Sequence, residues 1–248
     1  MIQLKTPDEI EKMRVAGRLT AQVLKQLCDS VRPGVTTAEI DELARDLIAQ
    51  AGGIPVFLNY HGYPAAACIS VNDEVIHGIP GERIIQNGDI VSIDVGVKYD
   101  GFVGDTAYTV AVGDIPDRTR ELLDATREAL EAGIRQVRPG ARLSDISHAV
   151  ETRAKASKCG VVRDFVGHGV GREMHEDPPV PNYGRPGRGP LLKPGMTFAI
   201  EPMINLGSPE VEILDDGWTV VTRDGQPSAH FEHTVAVLED GVDILTLP

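Results

Sequence analysis

The sequence predicts an α+β fold made of two related halves, and three observations predict it. The tetrapeptide VRPG occurs twice, at 31–34 and at 137–140. A helix-forming segment precedes and another follows each copy, and the second of these leads in each half to a strand that carries an acid. Two copies make a duplication rather than a solenoid.

The first half opens with MRVAGRLTAQVLKQLCDS and continues after VRPG with TTAEIDELARDLIAQAG, both read as helices. Thr36 and Glu39 have the spacing of a capping box at the start of the second one. Residues 90–106, IVSIDVGVKYDGFVGDT, place Ile, Val, Phe and Thr on both sides of a polar KYDG segment, the pattern of an antiparallel hairpin turning at Asp100-Gly101. Side chains alternate along a strand, so Asp94 and Asp105 share one face with Ser92, Gly96, Val103, Ala107 and Thr109. Val91, Ile93, Val95, Val97, Phe102, Tyr108 and Val110 occupy the other. A turn centred between Tyr99 and Asp100 sets the two acids directly opposite; one centred between Asp100 and Gly101 sets Asp94 against Ala107 and diagonal to Asp105.

In the second half, RELLDATREALEAGIRQ and LSDISHAVETRAKASKCG flank VRPG, and Asp145-Ile146 falls on Glu39-Ile40. PGMTFAIEPMI at 194–204 aligns with NGDIVSIDVGV at 87–97, which puts Gly195 on Gly88 and Glu201 on Asp94. Asp105 finds its counterpart in Glu232 of SAHFEHTVAVLE, after a longer hairpin that contains DDGWTVVTRDG.

Two carboxylates about 5–8 Å apart across a sheet repel, and removing them from water costs further. For one hairpin alone, a solvated acidic face would be explanation enough. Four acids at matched places in two halves call for a shared positive charge, and metal is the reading. DFVGHGVGREMHEDPP at 164–179 lacks the spacing of a phosphate loop and contains no HExxH; Gly167, Gly169 and Gly171 are read as a loop aiming His168 inward. Four carboxylates and one imidazole favour Mn, Fe or Co and accept Zn; bridging acids can hold two ions about 3.5–4 Å apart, a hydrolytic arrangement.

Composition bounds the remaining possibilities. A chain of 248 residues with 42% hydrophobic content can bury a large core. No run of 18 apolar residues occurs and MIQLKTPDEIEKMR lacks an apolar signal core, so a soluble cytoplasmic protein with no membrane partner is expected. Three cysteines, Cys28, Cys68 and Cys159, form no CxxC pair and suit reduced thiols. A net charge of −13 argues against a dedicated DNA or RNA binder.

The motifs NYHGYPAAACISVNDEVIHGIP, IDVGVKYDGFVGDT, GHGVGREMHEDP, LKPGMTFAIEPM and HFEHTVAV, with the opening KTPDEIEKMR, resemble the type I methionine aminopeptidases over essentially the whole chain. The resemblance implies the pita-bread fold, in which two pseudo-symmetric αβ halves surround an antiparallel sheet. It implies one catalytic domain over residues 1–248, with internal halves of roughly 1–115 and 116–248. It implies two divalent ions (Co, Mn, Fe, Zn or Ni) held by Asp94, Asp105, His168, Glu201 and Glu232, with Asp105 and Glu232 bridging and Glu201 as general base. His77 and His175 match the histidines that contact substrate and stabilise the tetrahedral intermediate. A methionine pocket is implied at Tyr60, Tyr63, Cys68, Met174 and Trp218, with Phe57 at its edge. Phe57 and Met174 depart from the Cys and Phe that many bacterial members carry there. His61, His148, His230 and His233 match no ligand position and are read as structural or exposed. NYGRPGRGP at 182–190 is read as a surface loop. The implied partners are peptide and nascent-chain N-termini, with the ribosome as a candidate, and the implied state is a monomer. A proline-specific relative and a catalytically dead binding module are the competing readings; the first calls for an extra N-terminal domain and the second for a lost ligand.

Overall fold

The computed structural model describes residues 1–248. Its first half begins with α1 (Pro7–Ser30) and α2 (Thr37–Gln50), both started by capping boxes, Thr6 with Glu9 and Thr36 with Glu39. Strands β1 (Ile54–Pro55), β2 (Ala67–Val71), β3 (Glu74–Ile76), β4 (Ile90–Tyr99) and β5 (Phe102–Ala111) follow. One edge of β4 pairs with β5 along its whole length, and the other is shared by β2 and β1, all antiparallel.

The second half repeats the plan with α3 (Asp117–Ile134) and α4 (Leu143–Ala156). It continues with β6 (Gly160–Val161), β7 (Gly167–Gly169), β8 (Glu176–Val180), β9 (Thr197–Ile200) and β10 (Met203–Asn205). The chain closes with β11 (Val211–Ile213), β12 (Val220–Thr222), β13 (Ser228–His230), β14 (His233–Leu238) and β15 (Gly241–Ile244). A five-stranded sheet runs β15-β14-β9-β7-β8; β13-β10-β6 and β11-β12-β3 form two smaller ones. No helix is long and apolar enough to cross a membrane.

The duplication is visible bond by bond. Gly34 and Gly140, the last residues of the two VRPG copies, both take left-handed φ, 93° and 82°. Gly34 N–H donates to Ile85 and Gly140 N–H to Leu192, and the bridges Thr36–Ile84 and Arg142–Leu191 sit beside them in matching places. Each half has its own core: α2 and β4 close over Ile40, Ile69, Ile93 and Val95, while α3 and α4 close over Leu122, Ile146, Phe198 and Val235. A third cluster, Met13, Phe102, Val170, Ala199 and Ala236, joins them beneath α1.

Close backbone approach seats α1 on the sheet. A Cβ at Gly104 of β5 would lie 2.7 Å from Gly17 Cα and 2.9 Å from the Ala16 carbonyl oxygen, so only glycine allows that contact. The seam between the halves runs along β5. Glu232 N–H donates to the Ala107 carbonyl at 2.9 Å, Thr106 Oγ1 to the Glu232 carbonyl at 2.7 Å, and Thr234 Oγ1 to the Asp105 carbonyl at 2.7 Å. These bonds bring the acids of the two halves to one place.

Candidate metal centre

Of the two hairpin registers open to the sequence, the chain adopts the diagonal one. Asp100 and Gly101 both have positive φ, 46° and 81°, the two-residue turn that suits twisted strands. Asp94 therefore faces Ala107, and Asp105 faces Gly96. A side chain at Gly96 would press on Phe57, 3.0 Å away, and on Asp105 Oδ1 at 3.4 Å, so the glycine keeps space open in front of the acid.

The second half supplies the remaining groups from strand ends. β9 ends at Ile200 and β10 begins at Met203 in a different sheet, so Glu201 and Pro202, which has no N–H to give, span the switch between the two sheets. Glu232 follows the end of β13 and is 2% exposed, as is Asp105. His168 stands in the middle of β7; its Nε2 lies 3.5 Å from Glu201 Oε1 and 3.7 Å from Asp105 Oδ2. Its Nδ1 is 3.0 Å from the Gly169 carbonyl, which can only accept. The proton is thus on Nδ1, and the lone pair of Nε2 points at the carboxylates.

No lysine or arginine compensates these acids. Burial, reinforced by their mutual repulsion, pushes the carboxyls of Asp94, Glu201 and Glu232 far above the usual range, and burial lifts Asp105 to about 7. His168, pushed down to about 3 by burial, stays neutral and supplies no charge. Asp94 Oδ1, Asp105 Oδ1 and Glu232 Oε1 are buried with no hydrogen-bond partner. Ligand atoms of Asp105, His168 and Glu232 all lie within 4.8 Å of one another. Clustered orphan oxygens beside an imidazole lone pair fit a divalent cation, which would satisfy them and replace the missing charge.

Two adjoining cavities reach this cluster. One, of 90 Å³, is lined by Asp94, Asp105, His168, Glu201 and Glu232 together with His77, His175, Phe165 and Val166. The other, of 110 Å³, is lined by Phe57, Tyr60, Tyr63, Cys68, Met174 and Trp218, and it shares Phe57, His77, Asp94, Met174 and His175 with the first. Asp41 holds one wall in place by accepting from the N–H groups of Ala66 and Ala67 at 2.7 and 3.0 Å. Tyr63, almost fully buried, donates to the Gly78 carbonyl at 2.9 Å and stacks edge-on against Trp218. Tyr60 Oη lies 2.7 Å from His175 Nδ1. His77 holds a left-handed φ of 59°, a strained position for a non-glycine residue, at the mouth of both cavities.

All the ligand, histidine and pocket residues singled out in the sequence thus line one connected space, and Phe57 borders both of its chambers rather than only the rim. Two expectations need correction. The glycine-rich segment around His168 is a strand in the five-stranded sheet, not a loop. Its glycines serve close approach, since a Cβ at Gly167 would lie 3.2 Å from the Val180 carbonyl oxygen. His230, read as structural or exposed, is 1% exposed, with its otherwise unpartnered Nε2 3.6 Å from Glu201 Oε2. Asn182, the first residue of the expected surface loop, is 1% exposed and donates to the Glu201 carbonyl at 2.9 Å. His230 lies two residues from Glu232, and that proximity was the one sequence signal available; Asn182 carried none. His148 bonds the Gly184 carbonyl and His233 bonds Thr246, both away from the cluster.

Comparison with known proteins agrees with this geometry. The model of metallopeptidase family M24 matches residues 11–239. Methionine aminopeptidase 1 of Bacillus subtilis (strain 168) is 51% identical over 246 residues, 99% of each chain. The methionine aminopeptidase of Escherichia coli (strain K12) is 46% identical, covering 99% of this chain and 94% of that protein. The crystal structure of methionine aminopeptidase from Rickettsia prowazekii superposes with a TM-score of 0.98 at 46% identity over the full length of both chains. The prolidase of Pyrococcus furiosus shares the fold alone, with a TM-score of 0.80 at 23% identity over 99% of this chain and 65% of its own. The architecture is the pita-bread fold, and the chain belongs to metallopeptidase family M24, among its bacterial type I methionine aminopeptidases.

Proposed function

We propose that this protein releases the N-terminal methionine from peptides and nascent chains whose second residue is small, acting as a monomer in the cytoplasm. One observation carries the reading: an apolar chamber closed by Tyr63, Cys68, Met174 and Trp218 opens past Asp94 onto the cluster of Asp105, His168, Glu201 and Glu232. An unbranched thioether suits the chamber, and its α-amino group and first carbonyl then lie beside the cluster. A residue preceding the methionine would run into the ligand side chains, so the chemistry is that of an exopeptidase.

Asp94, Asp105, His168, Glu201 and Glu232 would hold two divalent ions. When bound, the ions supply Lewis acidity toward the scissile carbonyl and acidify water near neutral pH. Glu201, between the imidazoles of His168 and His230, takes the proton of the attacking water and passes it to the leaving amine. His77 and His175 border the carbonyl position and steady the charge that develops on its oxygen.

The test is methionine release from Met-X peptides, X running from Gly and Ala to Leu and Arg, after chelation and re-addition of Mn, Fe, Co, Zn or Ni. Metal-dependent release restricted to small X supports the reading. Faster cleavage of Xaa-Pro than of Met-Ala substrates would favour a proline-specific enzyme instead. No release with any metal would turn the cluster into a structural ion site on a binding module.

A further inference from the structure

The hairpin between β7 and β8 carries the ligand His168 on one arm, and Met174 and His175, which wall both cavities, just before the other. Met174 is half-buried and His175 exposed, so little packing covers them from outside. What fixes this segment lies underneath. The Glu176 carboxylate curls back into the turn, where Oε1 accepts from the N–H groups of Arg172 at 2.9 Å and Glu173 at 3.4 Å. Its Oε2 forms an ion pair with Lys5 Nζ, and the side chains are only 5% and 8% exposed. Lys5 is held in turn by its own N–H donating to the Gly195 carbonyl at 2.7 Å. Gly171 completes the fit, since a Cβ there would lie 2.6 Å from Lys5 Nζ. The other charged tethers of the segment, Arg172 with Glu9 and Lys98 with Glu173, are much more exposed. Exposed pairs contribute little, whereas a buried pair that loses one member leaves an uncompensated charge.

We propose that Lys5, outside both cavities, is a positioning residue for the reaction: through its buried pair with Glu176 it sets the turn that presents Met174 and His175 to the substrate. This rests on the function proposed above. Removing the Lys5 charge releases Glu176 toward water and loosens the turn. His168 keeps its place, because Gly169 pairs with Phe198 of β9 on the far side. The consequence is a fall in kcat and in discrimination by the methionine pocket, with metal binding retained. A misplacement of about 1 Å at a reacting group can cost on the order of a hundredfold in rate.

The experiment compares wild type with Lys5→Met, Lys5→Arg and Glu176→Gln in the intact protein. Hydrogen exchange of the Arg172 and Glu173 amides, Mn affinity, and kcat and KM on Met-Ala-Ser against Leu-Ala-Ser are measured well below each unfolding midpoint. Expected in Lys5→Met are faster exchange at both amides, Mn affinity within twofold of wild type, kcat lowered about ten- to a hundredfold, and a smaller Met/Leu ratio. Lys5→Arg restores most of each. Should Lys5→Met fail to fold, Glu176→Gln, which keeps the Oε1 acceptor but not the charge, must show the same pattern in milder form. Unchanged exchange, or an unchanged Met/Leu ratio and kcat, in a folded variant overturns the proposal. A wild type that releases no methionine, while the variants still alter exchange at 172–173, would refute the function and leave the mooring intact.

Discussion

Chelation of the metal should make the stability of this protein fall as pH rises above neutrality, and the sign can be worked from the buried groups. Asp105 has a folded pKa of about 7 against an ordinary 3.8, so the folded state holds a proton that the unfolded state has lost. Such a group stabilises fully below 3.8, and the contribution disappears as pH climbs through 7. Asp94, Glu201 and Glu232 are shifted the same way. The buried histidines oppose them: His168 and His230 are held at about 3, and His77 and His233 at about 4, against an ordinary 6.5. Depressed histidine values make stability rise with pH; at 6.5 half of the unfolded imidazoles still carry a proton, so this opposition fades only about one unit higher.

The window nearly free of cancellation therefore begins at about pH 7.5. Asp105, at about 7, has by then lost most of its contribution, and each of Asp94, Glu201 and Glu232 that the folded chain still keeps protonated removes about 1.4 kcal/mol per pH unit. At about 2–4 °C per kcal/mol for a chain of this size, the midpoint of the chelated protein should drop by about 3–6 °C per pH unit for each such carboxyl. Saturating Mn at about a hundred times its Kd adds about 2.7 kcal/mol and removes the drop, because the ion displaces the protons. Scanning calorimetry at about pH 7.5 and 8.5, with chelator and with Mn, measures both arms. A chelated midpoint that stays level or rises between those pH values would refute the buried, protonated cluster.

Glu201→Gln should fold and bind substrate while kcat falls about 10²–10⁴-fold, read by steady-state kinetics beside a thermal melt; retained activity would remove Glu201 as the proton carrier. Asp105→Asn should lose one bound ion and essentially all activity, which elemental analysis of the dialysed protein checks. Gly104→Ala should destabilise the fold by about 1–3 kcal/mol through overpacking against α1, without altering metal affinity, as denaturant titration and Mn binding would show.

Much of the site was legible because its logic is local. VRPG and the flanking helices announced the duplication, and alternation along 90–110 placed Asp94 and Asp105 on one face whichever way the turn fell. What local pattern could not choose was the register. The two readings differ by one residue at the turn, and the choice goes with positive φ at both Asp100 and Gly101. His168 was found by its glycines, and they lie in a strand, where they let neighbouring backbone crowd in, rather than in a loop.

Asn182 and Lys5 escaped notice because nothing near them in sequence reveals their partners. Asn182 meets the carbonyl of Glu201 19 positions on, and Lys5 meets Glu176 171 positions on. The sequence by itself determined the two halves, their helices and the hairpin, and which acids the repeat matches, since periodicity and repetition are properties of nearby residues. Tertiary structure alone decided that the seam along β5 strips these acids of water and of any lysine or arginine. It also decided that an apolar chamber opens beside Asp94 and that a buried ion pair steadies its wall. Burial and charge pairing depend on segments far apart in the chain, and only packing brings those segments into contact.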